Sequence, residues 1–141
     1  MNAFNPHEEG HLESLAILAA IQRDGDPIIV PTLLLPEVVS AVARATDDSA
    51  GALGYADATA ALPHLTLVSI TPAIARQAAA LASTHRLRGA DSVYVAVARR
   101  YATTLVTRDE EQHSRASVVV TCQTPERALG ARPASKPATG P

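Results

Sequence analysis

Short, continuous apolar runs alternate with helical stretches along this chain, and this alternation limits its fold more than any other feature. The runs cover residues 28–31, 65–70, 102–107 and 118–121. A strand that is apolar at every position is buried on both faces, as in a parallel sheet covered by helices. The sequence therefore predicts an α/β fold, a three-layer α/β/α sandwich with a short parallel sheet.

The apolar residues between these runs recur at helical spacing. Thr32 and Thr71 are well placed to cap the helices that follow them. The predicted helices cover residues 8–23, 33–42, 53–62, 73–85 and a segment that starts near residue 91, with a short terminal helix starting at residues 124–126.

Length and composition indicate one globular domain. The chain has 141 residues, of which 47% are hydrophobic and 18% are charged. We expect a domain over residues 1–130, and a disordered tail over residues 131–141, where proline and small residues dominate. No apolar run approaches the roughly 18 residues of a membrane span, and the polar, acidic N-terminus does not resemble a signal peptide. These features predict a cytoplasmic protein.

Three carboxylates follow a predicted strand or open a helix, namely Glu37, Asp91 and Asp109. Each one alone is also explained by the helix dipole, which stabilises an acid in the first turn. Because open α/β sheets gather such residues at the carboxyl ends of their strands, we expect the three to share one edge. Clustered carboxylates repel one another unless a cation is present, and Mg²⁺ or Mn²⁺ suits an all-oxygen site.

A second candidate metal motif lies near the N-terminus, where residues 7–11 match the H-E-x-x-H signature of zinc hydrolases. Gly10 lies inside the required helical turn and costs about 1 kcal/mol there, so a solvated helix start is the preferred interpretation. Cys122 is the single cysteine, which excludes an intrachain disulfide.

Charge is distributed unevenly along the chain. Residues 1–70 carry nine acids and two arginines, whereas residues 71–141 carry ten basic residues and five acids. This split is compatible with a basic surface for nucleic acid beside an acidic site, and equally with ordinary solvated faces. Aromatic residues make up only 3% of the chain, which argues against recognition of RNA by base stacking.

Three segments together resemble a PIN domain, and most closely the small PIN-domain ribonuclease toxins of bacterial toxin–antitoxin pairs. The segments are residues 30–42, which contain Glu37, residues 87–98, which contain Asp91, and residues 104–109, which end in Asp109. The resemblance extends from about Asn2 to Leu129.

The resemblance implies a ribonuclease in which Glu37, Asp91 and Asp109 hold Mg²⁺ or Mn²⁺ and Thr107 is the supporting hydroxyl. It also implies three partners: RNA, a cognate antitoxin protein and a second copy of the chain in a homodimer. Arginines near these motifs are candidates for contacts with the RNA backbone, namely Arg88, Arg99 and Arg108.

One departure from the family pattern leaves a second function open. The family begins with a strand that ends in an aspartate, and this chain starts downstream of the corresponding position. We therefore expect the family's first strand and first acid to be missing. The alternatives to an active ribonuclease are a catalytically inactive or N-terminally incomplete PIN-like binding module and, less favoured, the small zinc hydrolase.

Overall fold

Helices and short strands alternate through residues 11–132, which are the residues that the computed structural model describes. The elements are α1 (His11–Asp24), β1 (Ile28–Pro31), α2 (Leu34–Thr46), α3 (Ser49–Ala60), β2 (Leu65–Val68), α4 (Pro72–His85), α5 (Gly89–Arg100), β3 (Leu105–Val106), α6 (Glu110–Ala116), β4 (Cys122–Gln123) and α7 (Pro125–Gly130).

The strands pair in parallel, in two short sheets. Strand β1 pairs with β2, with Ile28 opposite Leu65, and β3 pairs with β4, with Leu105 opposite Cys122. The predicted α/β class with parallel pairing is confirmed. Within residues 11–132 the two pairs are not hydrogen-bonded to each other, so the strands form two sheets rather than one continuous sheet.

Helix α5 lies at the centre of the main core. Its residues 95–98 are buried one after another, which shows that the helix is covered on all sides along this stretch. It packs against α4, β1 and β3, and the surrounding cluster includes Val68, Leu81 and Ala116. This packing fixes the position of the first turn of α5.

Helices α2 and α3 form a second, smaller core. Val38, Val42 and Ala52 are buried between them. Asp47 ends α2 in the left-handed conformation, with φ of 54°, and the Asp48 side chain caps α3 by accepting from the Gly51 amide. Because Val38 is fully buried, the backbone that carries the neighbouring Glu37 is held in place.

The helix caps were predicted with mixed success. Thr71 caps α4 and Thr124 caps α7, each through its side-chain oxygen. Thr32 does not cap α2, which corrects the prediction for that residue. Leu33 occupies the cap position there in a helical conformation without a side-chain hydrogen bond, because the chain turns into the helix directly from β1.

The last strand lies later in the chain than the sequence predicted. Residues 117–119 form a turn and Val120 a bend, and β4 begins at Cys122. The reason is that the Val119 and Val120 amides donate to the Ala116 carbonyl at 2.8 and 3.0 Å, and close the end of α6 instead of pairing with a strand. Helix α6 itself was not predicted.

Two predictions fall outside the described part of the chain. The side chains of the motif at residues 7–11 and the stretch 133–141 of the predicted tail are not described. Between residues 11 and 132, no helix combines the length and the apolar character that crossing a membrane requires.

Candidate active site at the first turn of helix α5

Asp91 lies in the first turn of α5, as predicted. Arg88 precedes the helix in an extended conformation, and the Ser92 hydroxyl donates to the Gly89 carbonyl at 2.7 Å, which stabilises this turn. The Asp91 carboxylate has no hydrogen-bond partner among residues 11–132. Partial burial raises the pKa of Asp91, and the negative charge of Asp109 raises it further. Burial first, and the nearby carboxylates second, therefore make the ionised form of Asp91 less favourable.

Asp109 reaches the same region from the end of β3. Its backbone amide donates to the Thr107 hydroxyl at 3.1 Å, so Thr107 shapes the turn that presents the carboxylate. One carboxylate oxygen, Oδ1, accepts from the Gln112 amide at 2.8 Å and caps α6. The other, Oδ2, lies 3.3 Å from the Arg88 guanidinium. Both oxygens of Asp109 are therefore engaged within the chain.

Glu37 comes to the site from α2 through a contact that the sequence analysis missed. The Tyr94 hydroxyl donates to Glu37 Oε2 at 2.5 Å. Burial raises the pKa of Tyr94 well above its usual value, and the hydrogen bond to Glu37 raises it further. Tyr94 follows Asp91 by three residues on the same helix face, which is the spacing that could have indicated its role.

Glu111 is a fourth acid at this edge, and it was also missed. It accepts from Arg88 at 2.5 Å and from Arg115 at 2.7 Å. Its charge contributes to the raised pKa of Asp91, as does that of Glu37. The site thus contains four carboxylates, of which Asp109 and Glu111 share Arg88 as a counter-ion. The sequence signal that could have indicated Glu111 is its position two residues after Asp109 in a polar stretch.

The three candidate RNA-binding arginines are not gathered in one place. Arg88 lies at the acidic edge, and Arg108 forms an ion pair with Glu126. Arg99 lies in the last turn of α5, roughly 16 Å along the helix from Arg88, where it lines a cavity of about 330 Å³ with Arg100 and Gln77.

A family profile matches the part of the chain that contains Glu37, Asp91, Thr107 and Asp109. The PIN domain profile matches residues 2–118, which is most of the chain. This chain belongs to the PIN domain family. Searches of curated proteins and of solved structures gave no match.

Membership in the PIN family points to a nuclease-type function, because PIN domains are generally nucleases and typically use divalent metal ions. The donor chemistry of the acidic edge fits such an ion, since carboxylate oxygens are the preferred ligands of Mg²⁺ and Mn²⁺. The partly buried Asp91, surrounded by like charges, would be stabilised by a dication.

The arrangement of these side chains is not that of an assembled metal site. Among residues 11–132, no group of three or more His, Cys, Asp or Glu side chains is close enough to hold a metal ion. The hydrogen bonds described above explain this, because Glu37 is turned toward Tyr94 and Asp109 toward Arg88 and the Gln112 amide. Among residues 11–132, Glu37, Asp109 and Glu111 thus each have a partner within the chain, and Asp91 has none.

Proposed function

We propose that this PIN-domain chain is a metal-dependent endoribonuclease, with Glu37, Asp91 and Asp109 as the metal ligands. The observation that carries the proposal is the placement of Glu37, Asp109 and Glu111 near the partly buried Asp91 in a chain of the PIN family, and burial and these neighbouring charges raise the pKa of Asp91. Four acids lie near that turn, and among residues 11–132 only Asp109 and Glu111 of the four contact an arginine. A functional demand for a cation is the simplest reason to keep them together.

Each residue has a separate part in the proposed reaction. Mg²⁺ or Mn²⁺ bound at this edge would activate a water molecule and stabilise negative charge on the phosphodiester. Thr107 holds the Asp109 backbone, and Tyr94 orients Glu37 through its 2.5 Å hydrogen bond. Arg88 and Arg108 would contact phosphates of the bound RNA. Arg99 would contact the RNA backbone further away.

The resemblance to small ribonuclease toxins extends the proposal to the biological setting. We propose that the chain acts as the toxin of a toxin–antitoxin pair, in a homodimer, and that a cognate antitoxin protein blocks the acidic edge. Proteins of the PIN family act on RNA or DNA and often belong to such pairs. RNA is the substrate that the resemblance favours here.

An inactive PIN-like binding module is the second candidate function. It is favoured by the internal partners of Glu37 and Asp109, which leave no assembled group of three acids among residues 11–132. An inactive module would keep the fold and the basic residues, and would bind RNA or a protein partner without cleaving RNA.

Substitution of Asp91 separates the two functions. We expect the wild-type chain to cleave a labelled single-stranded RNA in Mg²⁺ or Mn²⁺ but not in chelator, and Asp91→Asn to reduce the rate about a hundredfold or more. The control is Asp57→Asn, an exposed acid on α3 remote in sequence from the site motifs. Circular dichroism would establish that both variants fold.

Equal cleavage by wild type and Asp91→Asn would contradict the enzyme proposal and indicate a contaminating nuclease. Chelator-insensitive cleavage would contradict the role of the metal. RNA binding without cleavage by the wild-type chain and by Asp91→Asn would favour the binding module.

A further inference from the structure

Arg88 occupies a position from which it can control the acidic site. It immediately precedes α5, and its side chain is 64% exposed. Although it lies 21 and 23 residues before Asp109 and Glu111 in the sequence, its guanidinium contacts both carboxylates, at 3.3 and 2.5 Å. A single side chain therefore spans the gap between the start of α5 and the start of α6.

The two contacts of Arg88 differ in strength. The contact with Glu111 is short, and Glu111 is held from its other side by Arg115 at 2.7 Å. The contact with Asp109 is long and exposed, a geometry that contributes little stability. Arg88 can therefore stay paired with Glu111 while its contact with Asp109 breaks at little cost in free energy.

Arg88 contacts the carboxylate oxygen of Asp109 that has no backbone partner among residues 11–132. The Oδ1 atom of Asp109 accepts from the Gln112 amide and caps α6, which leaves Oδ2 as the oxygen available for a ligand. That oxygen is the one beside Arg88. Of the three proposed ligands, Asp109 is the only one that contacts a cation among residues 11–132, so Arg88 and a divalent cation would compete for the same atom.

We propose that Arg88 is a built-in competitor of the metal ion, which lowers the affinity of the acidic site by occupying Asp109 Oδ2. This inference rests on the proposed metal-dependent function. Metal binding then requires Arg88 to leave Asp109 while it stays attached to Glu111. The consequence is a site that is filled only at elevated concentrations of the ion, or when a polyanion such as RNA draws the guanidinium away.

Titration calorimetry with MnCl₂ at low ionic strength tests this competition without a nuclease assay. We expect Arg88→Gln to bind Mn²⁺ about fivefold to tenfold more tightly than wild type, because a contacting positive charge is removed. Arg88→Lys keeps a charge and should stay closer to wild type. The control is Arg127→Gln, which removes an exposed charge on α7 and should stay within about twofold of wild type.

Salt supplies a second criterion. The gain in affinity of Arg88→Gln should shrink as NaCl rises from low to high concentration, because ionic screening weakens the competition. Binding by Arg88→Gln that is equal to or weaker than that of wild type overturns the proposal.

An Asp91→Asn titration distinguishes failure of this inference from failure of the proposed function. If Asp91→Asn abolishes binding and Arg88→Gln leaves it unchanged, only the role of Arg88 is wrong. If wild type, Asp91→Asn and Arg88→Gln all fail to bind, or all bind alike, both proposals are wrong. Binding by Arg88→Gln alone would support the competition most strongly.

Discussion

The hydroxyl of Tyr94 and the carboxylate of Glu37 form the longest-range polar contact of the acidic edge, since the two residues are 57 positions apart in sequence. Ionisation of Tyr94 would place two negative charges side by side in a partly buried position. The folded chain therefore keeps the Tyr94 proton much more tightly than an unfolded chain does, and the pKa is raised from its ordinary value of 10.0.

Replacement of Tyr94 by phenylalanine should destabilise the chain less at alkaline pH than at neutral pH. At pH 7 we expect Tyr94→Phe to lower the free energy of unfolding by about 1 kcal/mol, because a hydrogen bond to a charged acceptor is lost. Above pH 10 the unfolded wild type releases the Tyr94 proton and the folded form retains it, so wild type loses stability with rising pH. The variant has no such proton, and the difference should narrow.

Urea unfolding at several values between pH 7 and pH 11 would measure this difference. Tyr55→Phe, which alters an exposed tyrosine on α3, is the control. A difference between wild type and Tyr94→Phe that stays constant up to pH 11 would contradict the raised pKa of Tyr94.

Asp91 could be predicted from the sequence as a site residue, whereas the hydrogen bond of Tyr94 to Glu37 could not. Asp91 was predictable because a helix start is a local pattern. The partners of Glu37 and Asp109 were not, because these contacts join segments whose approach depends on how α2, α5 and α6 pack. The predicted roles of the three acids as metal ligands remain predictions.

Helix α6 depends on Asp109 for its start, and this gives Asp109 a structural role apart from any metal. The helix has only seven residues, and the Asp109 side chain accepts from the Gln112 amide. We expect Asp109→Ala to lower the free energy of unfolding by about 1 kcal/mol, whereas Asp109→Asn should preserve most of the stability, because asparagine caps helices about as well as aspartate.

The two Asp109 variants also separate capping from catalysis. Both remove the charge, so both should lose metal-dependent RNA cleavage, but only Asp109→Ala should unfold more easily in urea. Equal destabilisation by the two variants would show that the ion pair with Arg88, and not the cap, is what Asp109 contributes to stability.

Elements with strong local signals were predicted, and elements without them were missed. Strand β1 was predictable because it contains a β-branched run, and helix α4 because a Thr-Pro pair marks its start. Helix α6 has the sequence Glu-Glu-Gln-His-Ser-Arg-Ala, which carries a single apolar residue and so resembles a loop. Strand β4 was misplaced because the apolar residues 118–120 were the obvious strand candidates, and the turn that ends α6 uses their amides.

At the scale of the whole molecule, helix α5 packs against β1 of one sheet and β3 of the other, and within residues 11–132 the two sheets share no hydrogen bonds. The parallel pairing within each sheet follows from the apolar character of the strands, which the sequence displays. The division into two sheets does not, because strand length and pairing depend on tertiary packing. Strands β3 and β4 have only two residues each, too few for a periodic pattern to define them.

Arg132, the last described residue, forms ion pairs with the end of α1 and the loop that follows it. Its guanidinium lies 2.8 Å from Asp24, the last residue of α1, and 2.5 Å from Asp26 in the following loop. Helices α1 and α7 pack against each other beside this contact. Hydrogen bonds from Arg23 and, next, from Arg132 lower the pKa of Asp24 below its ordinary value of 3.8.

Arg132→Ala should therefore lower the thermal unfolding midpoint by about 2 °C at pH 7, and this deficit should depend on pH in a defined direction. A carboxylate whose pKa is lowered by folding contributes stability above its ordinary pKa, and this contribution is lost as the pH falls through the folded value. The midpoints of wild type and variant should thus converge as the pH is lowered from 7 toward 3. Calorimetric scans across this range, with Arg127→Ala as the control, would measure it. A deficit that does not shrink at all as the pH falls below 3.8 would mean that Arg132 joins α1 to α7 by packing of its aliphatic stem, and not by its charge.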